Sequence, residues 1–356
     1  MDNYTFTVRK KDSGWQIILS YRDSRGKWRQ ISKQGFTKRS QALSASVKRD
    51  LLSKMKKTAN VPENMKDITL AEFYQVFAQE SKKTLTYNTL KNYRITIDRV
   101  PSLAKKRMVD ITYADVVHAI NSLNLSASSV NLSIAKLKVL FKYAANIYHL
   151  FPVSPIRDLP YVKDRKSKKI TALTQEEFSD LLECMKNEKE EYYVICAIAG
   201  YAGLRFGEIA GLTKADIDFF AGVIHVNKQY GMVARGLYKI REPKTRNSYR
   251  DVPIPQVLLN ILINYLEDRR AVRMDRRIFN VRESSYVNSR IKKYYPDCSV
   301  HQLRHTYATT LLANGLDVKT VSALIGDTVA MVIKTYIHYT DAMRKKAKKD
   351  VSRIFG

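Results

Sequence analysis

Cysteine is scarce in this sequence. Cys184, Cys196 and Cys298 lie far apart and fit neither a disulfide framework nor the ligand spacing of a zinc site. Long apolar runs are missing too. The best candidates, 194–204 and 257–266, are short and end near charges, which suits buried helices and falls below the ~18 residues of a membrane span. The stretch MDNYTFTVRKKD has no apolar centre, so no secretory signal is expected. Acidic residues are also few: 34 Asp and Glu face 62 Lys and Arg, leaving a net charge of +28. These scarcities exclude a disulfide-stapled scaffold and a helical membrane protein. The expectation is a cytoplasmic chain that uses no metal and no cofactor and has no membrane partner.

A generally basic surface would account for the charge. An anionic membrane would attract it, but no long basic amphipathic helix stands alone. A nucleic acid explains the excess better, because each phosphate neutralised releases condensed counterions. Affinity for nucleic acid does not say what is done to it.

With 356 residues, 45% of them hydrophobic, the chain has material for two or three cored domains. In residues 1–60, Tyr4, Phe6 and Val8 alternate with polar neighbours, as do Trp15, Ile17, Leu19 and Tyr21. WRQIS gives a third strand, and Leu43, Val47 and Leu51 then follow at helical spacing. Fifteen Lys and Arg against four Asp and Glu give this segment about +11. Its cluster Arg22, Arg25, Lys27, Arg29 and Lys33 favours DNA over a protein partner. KTANVPENMK reads as a linker. Residues 67–155 read as all-helical, with a capping box at Thr69–Glu72 and a shorter-acid version at Thr112–Asp115. Helices are expected at 87–100 and 128–148, the second burying Leu132, Leu137, Leu140, Phe141 and Ala144. The proline-bearing FPVSPIRDLPYVKDRKSKK is expected to be an extended basic tether. A third domain, 170–356, opens on the capping box Thr174–Glu177.

The third segment carries the chemistry. Arg205 and Glu208 are spaced i, i+3 and form either a surface ion pair or a guanidinium held for two phosphate oxygens. Strand-like alternation up to Pro243, with KTRNS as the turn before YRDVPI, puts Lys244 at a hairpin tip. A lysine there is either solvated or poised to protonate a departing alkoxide. His301 and Arg304 share one helix face, while His305 points elsewhere. No acid or cysteine completes a metal set with them. Val329, Val332 and Ile333, just ahead of KTYIHYT, and Tyr336 within it follow one apolar helix face. Read alone, Tyr336 is either a packed ring or a nucleophile. Two arginines, a lysine, a histidine and a tyrosine together suggest phosphoryl transfer stabilised by fixed cations.

The motifs GLRFGEI, PKTRNSYRDVPI, HQLRHTYATTLLANG and LIGDTVAMVIKTYIHYT, in this order and spacing, resemble those of the tyrosine recombinases of the phage-integrase family. The resemblance implies an α+β multidomain fold. A three-stranded sheet with a helix (1–60) would bind arm-type DNA, a helical domain (67–155) would bind core sites, and a mainly helical catalytic domain (170–356) would carry a small sheet. It implies that Arg205 and Arg304 clamp the scissile phosphate, that His301 exchanges a proton near the nucleophile and that Lys244 protonates the leaving 5′-hydroxyl. Glu208 would orient the arginines and Tyr336 would attack, with Tyr339 out of register. The family usually has histidine or tryptophan where this chain has Asp327. A carboxylate repels phosphate, so Asp327 is expected to accept from an arginine or from His301 and fix it. The implied activity is integration or excision of a mobile element, viral genomes included, through a 3′-phosphotyrosine and without ATP. The implied partners are double-stranded DNA, a homotetramer on it, and accessory bending or directionality proteins, at the nucleoid of a bacterial host. The alternatives are a non-catalytic architectural protein on the same scaffold and a topoisomerase-like relaxing enzyme.

Overall fold

The computed structural model describes residues 4–11, 14–22, 28–57, 65, 67–163, 172–243, 246–267 and 276–336, with the backbone alone at 56, 57, 246 and 336. Arg25, Lys27, Lys244 and Tyr339 lie outside the described residues. The chain divides into two compact units, Met1–Ser167 and Lys168–Gly356. Among the described residues no helix is long and apolar enough to cross a membrane.

The first unit holds two cores. Alternating side chains form the antiparallel sheet β1 (Tyr4–Lys11), β2 (Gly14–Arg22) and β3 (Trp28–Phe36), in that order. Ile17, Leu19 and Tyr21 point to one face, where they pack with Ala42 of α1 (Arg39–Ala42) and with Leu51 and Met55 of α2 (Ala45–Lys57). The other face is a polar lattice. Arg9 Nε donates to Gln16 Oε1 (3.0 Å), Gln16 Nε2 to Ser32 Oγ (3.0 Å) and Gln30 Nε2 to Ser20 Oγ (3.2 Å).

The second core is helical: α3 (Leu70–Glu80), α4 (Tyr87–Arg99), α5 (Pro101–Ala104), α6 (Tyr113–Asn121) and α7 (Ala127–Asn146). Both expected capping boxes form. The Thr69 and Thr112 N–H groups donate to the Glu72 and Asp115 carboxylates, and each threonine hydroxyl accepts in return. In α7, Leu137, Leu140, Phe141 and Ala144 are buried, but Leu132 is 44% exposed. Leu132 is five residues from Leu137, and at about 100° per residue that turns it off the stripe. Val130 and Ile134 take its place in the core. The expected tether is also anchored at its start: Phe151, Ile156 and Leu159 are buried in the helical core, and Val153 packs against the sheet's core.

The second unit begins with α8 (Gln175–Glu188), capped by Thr174 and Glu177, and α9 (Glu190–Ala202). α9 is apolar nearly all round and forms the spine of the core; Ile195 and Ile198 are fully buried, each such side chain worth roughly 1.5–3 kcal/mol. Next come α10 (Phe206–Gly211), β4 (Ile217–Asp218), β5 (Val223–Val226), β6 (Gln229–Ala234), β7 (Leu237–Arg241) and β8 (Arg250–Pro253). The order β4-β5-β8 makes one sheet and β6-β7 another. The expected hairpin from β7 into YRDVPI therefore does not form. β8 pairs with β5 instead, because this places Val252 beside Ile224 in the core. β7 and β8 thus belong to different sheets, and Lys244, expected at a hairpin tip between them, lies outside the described residues. The unit closes with α11 (Gln256–Glu267), α12 (Ser284–Tyr294), α13 (Val300–Ala313), α14 (Val318–Ile325) and α15 (Val329–Tyr336).

Candidate active site

The site is assembled at the carboxyl end of α14. Three consecutive carbonyls there each accept from a different arginine: Leu324 from Arg250 Nε (2.7 Å), Ile325 from Arg304 Nη2, and Gly326 from Arg205 Nη2 (2.9 Å). A helix C-terminus leaves these oxygens without intrahelical partners and carries the negative end of the macrodipole, so it gathers guanidinium groups. Gly326 ends α14 in the left-handed conformation (φ 64°). A Cβ there would lie 3.0 Å from the Asn247 carbonyl, so glycine suits both the turn and the approach.

Arg205 is not on the core helix that precedes it. α9 stops at left-handed Gly203, and Arg205 is the N-cap of α10. This places Glu208 one turn on, where it accepts from the Arg205 N–H (2.8 Å) and from Arg205 Nη1 (3.0 Å). Glu208 is buried and also accepts from Arg250 through Nη1 (3.2 Å) and Nη2 (2.9 Å). Burial alone would push its carboxyl upward. Arg250, and then Arg205, outweigh burial and leave it below the usual carboxylate range.

Arg304 comes from α13 and is 1% exposed. Its Nη1 donates to the Gly203 carbonyl (2.7 Å), and its Nη2 also donates to Asp327 Oδ2 (2.7 Å). Burial and then Arg205 pull it down to about 10, so it remains charged at neutral pH. Asp327 therefore bridges the two clamp candidates, since its Oδ1 accepts from Arg205 Nη2 at 2.5 Å. Burial raises the Asp327 carboxyl, but the charges of Arg304 and Arg205 prevail and hold it low. Burial, then Arg304 and Arg205, keep the His301 imidazole below its ordinary value. His305 meets the His301 ring edge-on at 4.6 Å and is pushed down to about 4, chiefly by burial. A cleft of about 350 Å³ opens beside Arg205, lined by it and by Glu208, Gln229, Asn247, Ser248 and Asp327 among others.

Arg205, Glu208, His301, Arg304 and Asp327 thus share one neighbourhood. Tyr336 lies at the end of α15, about 7.5 Å of helix axis beyond the cleft residue Met331; its side chain is outside the description. Among the described side chains of the expected apolar stripe only Val332 is buried, while Val329 and Ile333 are 40% and 45% exposed. The amino-terminal cluster is divided by the pleat. Lys33 lies opposite Ile17 and pairs with Asp50 of α2 (2.9 Å), and Arg29 lies opposite Tyr21, so both share the helix-covered side. Arg22, opposite Trp28, stands on the other face.

Sequence reasoning missed Arg250. Its strand offered a signal: Arg250 and Val252 are two residues apart and so share a face, and Val252 is fully buried. An arginine on the inward face of a short strand needs a buried carboxylate, and Glu208 is that carboxylate.

Comparison with known proteins places these elements in a wider group. Models for the phage integrase family, an arm DNA-binding domain and the N-terminal SAM-like domain of phage integrases match residues 171–343, 7–46 and 69–124. A XerC-like tyrosine recombinase of Caldanaerobacter subterraneus subsp. tengcongensis is 25% identical, over 94% of either chain. The transposase from transposon Tn916 of Enterococcus faecalis is 25% identical over 82% of either chain. The Tn1549 transposon integrase, solved with circular intermediate DNA, has the same fold at 19% identity. It superposes with a TM-score of 0.65 over 79% of this chain and 99% of its own.

Proposed function

The chain belongs to the phage integrase family of tyrosine recombinases, and from that premise we propose that it integrates and excises a mobile DNA element by site-specific strand exchange. The observation that carries the chemistry is the pair Arg205 and Arg304, fixed by the α14 carboxyl end and both donating to one anionic group. Two guanidiniums so held can grip the non-bridging oxygens of a phosphodiester and stabilise the charge that grows on them in the transition state. In this reading the Tyr336 phenol oxygen bonds to phosphorus and the bond to the 5′ oxygen breaks. The phenol proton passes to His301, whose lowered basicity leaves it neutral and able to accept. Lys244 supplies the proton that leaves with the 5′-hydroxyl. Glu208 anchors Arg205. The 3′-phosphotyrosine conserves the ester bond, so a partner strand's 5′-hydroxyl can reverse the step with neither ATP nor metal.

A nicked suicide DNA carrying the element's core site, incubated with the protein in EDTA, tests this. Wild type is expected to give a covalent adduct on a denaturing gel and Tyr336→Phe none. An adduct in the variant would transfer the role to Tyr339. Tight binding without an adduct from either protein would favour the architectural alternative. A topoisomerase-like enzyme would relax supercoils without pairing two sites.

Three functional segments, 1–60, 67–155 and 170–356, serve this reading as arm-binding, core-binding and catalytic domains. For arm DNA, the exposed Arg9, Arg22 and Gln30 are better placed to reach base edges than Arg29 or Lys33, which share the helix-covered side of the sheet, and amide and guanidinium groups pair bidentately with bases. Gln30→Ala is expected to weaken preference for arm sites while keeping non-specific binding. Equal loss of both in a competition assay would reject the assignment. Exchange between two duplexes requires four strand cuts, which supports a homotetramer on DNA, aided by bending or directionality proteins at the nucleoid in the cytoplasm. The relatives include a transposon transposase, which favours a mobile element as the cargo.

A further inference from the structure

We propose that the Asp327 carboxylate is an internal anion that occupies the seat of the scissile phosphate between Arg205 and Arg304, so that DNA enters the site by displacing it and small free anions do not. This rests on the reading of the two arginines as phosphate ligands. One oxygen of Asp327 meets Arg205 and the other meets Arg304, which is the contact pattern two non-bridging phosphate oxygens would make.

The alternative is that Asp327 merely positions the guanidiniums. The donor inventory argues against it. Arg304 is already fixed by the Gly203 and Ile325 carbonyls, and Arg205 by Glu208 and the Gly326 carbonyl. Orientation is therefore secured without Asp327, which adds charge. With Arg205, Arg250 and Arg304 against Glu208 and Asp327, these five groups sum to +1. Without Asp327 they sum to +2, and the attraction for an incoming anion rises accordingly. Displacement needs no backbone change: the Asp327 N–H is tied to the Ser322 carbonyl (3.0 Å), while its side chain is only half-buried and borders the cleft.

The test uses the full chain without DNA and inorganic sulfate as the probe, against chloride at equal ionic strength, read by thermal unfolding. Asp327→Asn is expected to be less stable than wild type in chloride and to bind sulfate with an apparent Kd at least about tenfold lower, the factor set by how fully the carboxylate fills the seat. Asp327→His should behave likewise, and adding Arg205→Gln to Asp327→Asn should remove the gain. Equal sulfate response in wild type and variants, or weaker response in the variants, would overturn the proposal. So would failure of both Asp327 variants to fold even in sulfate, since an anion would then be unable to replace the carboxylate. The adduct assay separates the two readings. A sulfate gain without any adduct from wild type would keep the internal anion and reject the recombinase chemistry; an adduct with no sulfate gain would do the reverse.

Discussion

Arg304→Lys is expected to slow single-turnover adduct formation by about 10²–10³-fold, the range for losing one preorganised donor to a developing oxyanion, while core-site affinity changes by less than about threefold. The asymmetry follows from geometry. Arg304 holds the Gly203 carbonyl through one terminal nitrogen and the Ile325 carbonyl and the anion seat through the other. A lysine has one nitrogen and no planar fork, so it cannot span these acceptors together. DNA affinity, by contrast, is spread over many cations in a chain of net charge +28. The variant should also lose roughly 1–3 kcal/mol of stability, because a buried carbonyl is left without its donor. Quench-flow cleavage beside equilibrium binding measures both. Parallel losses in binding and cleavage would mean that Arg304 acts through the fold rather than on the phosphate.

Much of this was legible in the sequence because it was local. The strand alternation around Ile17 and Leu19 and the capping boxes at Thr69, Thr112 and Thr174 each depend on residues a few positions apart, where the backbone sets the geometry. The apolar stretch 194–204 and the spacing of His301 and Arg304 were readable for the same reason. What escaped was non-local or lay in the main chain. The α14 carboxyl end that gathers three arginines is made of carbonyl groups, which no side-chain pattern reveals. The partner of β8 was misread because YRDVPI follows closely on β7, and proximity suggested a hairpin. Burial of Val252 beside Ile224 decided for β5. The stripe through Val329 and Ile333 is periodic, but among the described residues only Val332 of it reaches the small cluster formed with Tyr307 and Val321. Periodicity states which residues share a face; it does not state what covers that face.

Glu208→Ala is expected to destabilise the second unit by about 3–5 kcal/mol, the usual consequence of leaving a buried charge uncompensated. Both members of the pair are enclosed, with side chains 6% exposed for Arg250 and 5% for Glu208. Glu208→Gln should do little better, because its amide turns a donor toward a guanidinium that has only donors. The double variant Glu208→Met with Arg250→Met separates stability from function. Apolar replacements of a buried pair are often neutral or stabilising, so most of the lost stability should return. Cleavage should not, because Arg205 has lost the carboxylate that holds its Nη1. Acid gives an independent check. The folded Glu208 carboxyl lies below its ordinary value near 4.5. Its contribution is therefore fully present above that value and lost as pH falls through the lower, folded one. Urea midpoints of wild type should drop through this window, and those of the double variant should drop less. A double variant as unstable as Glu208→Ala would show that Glu208 does not stabilise the fold through Arg250, and one that cleaved like wild type would show that it does not anchor Arg205.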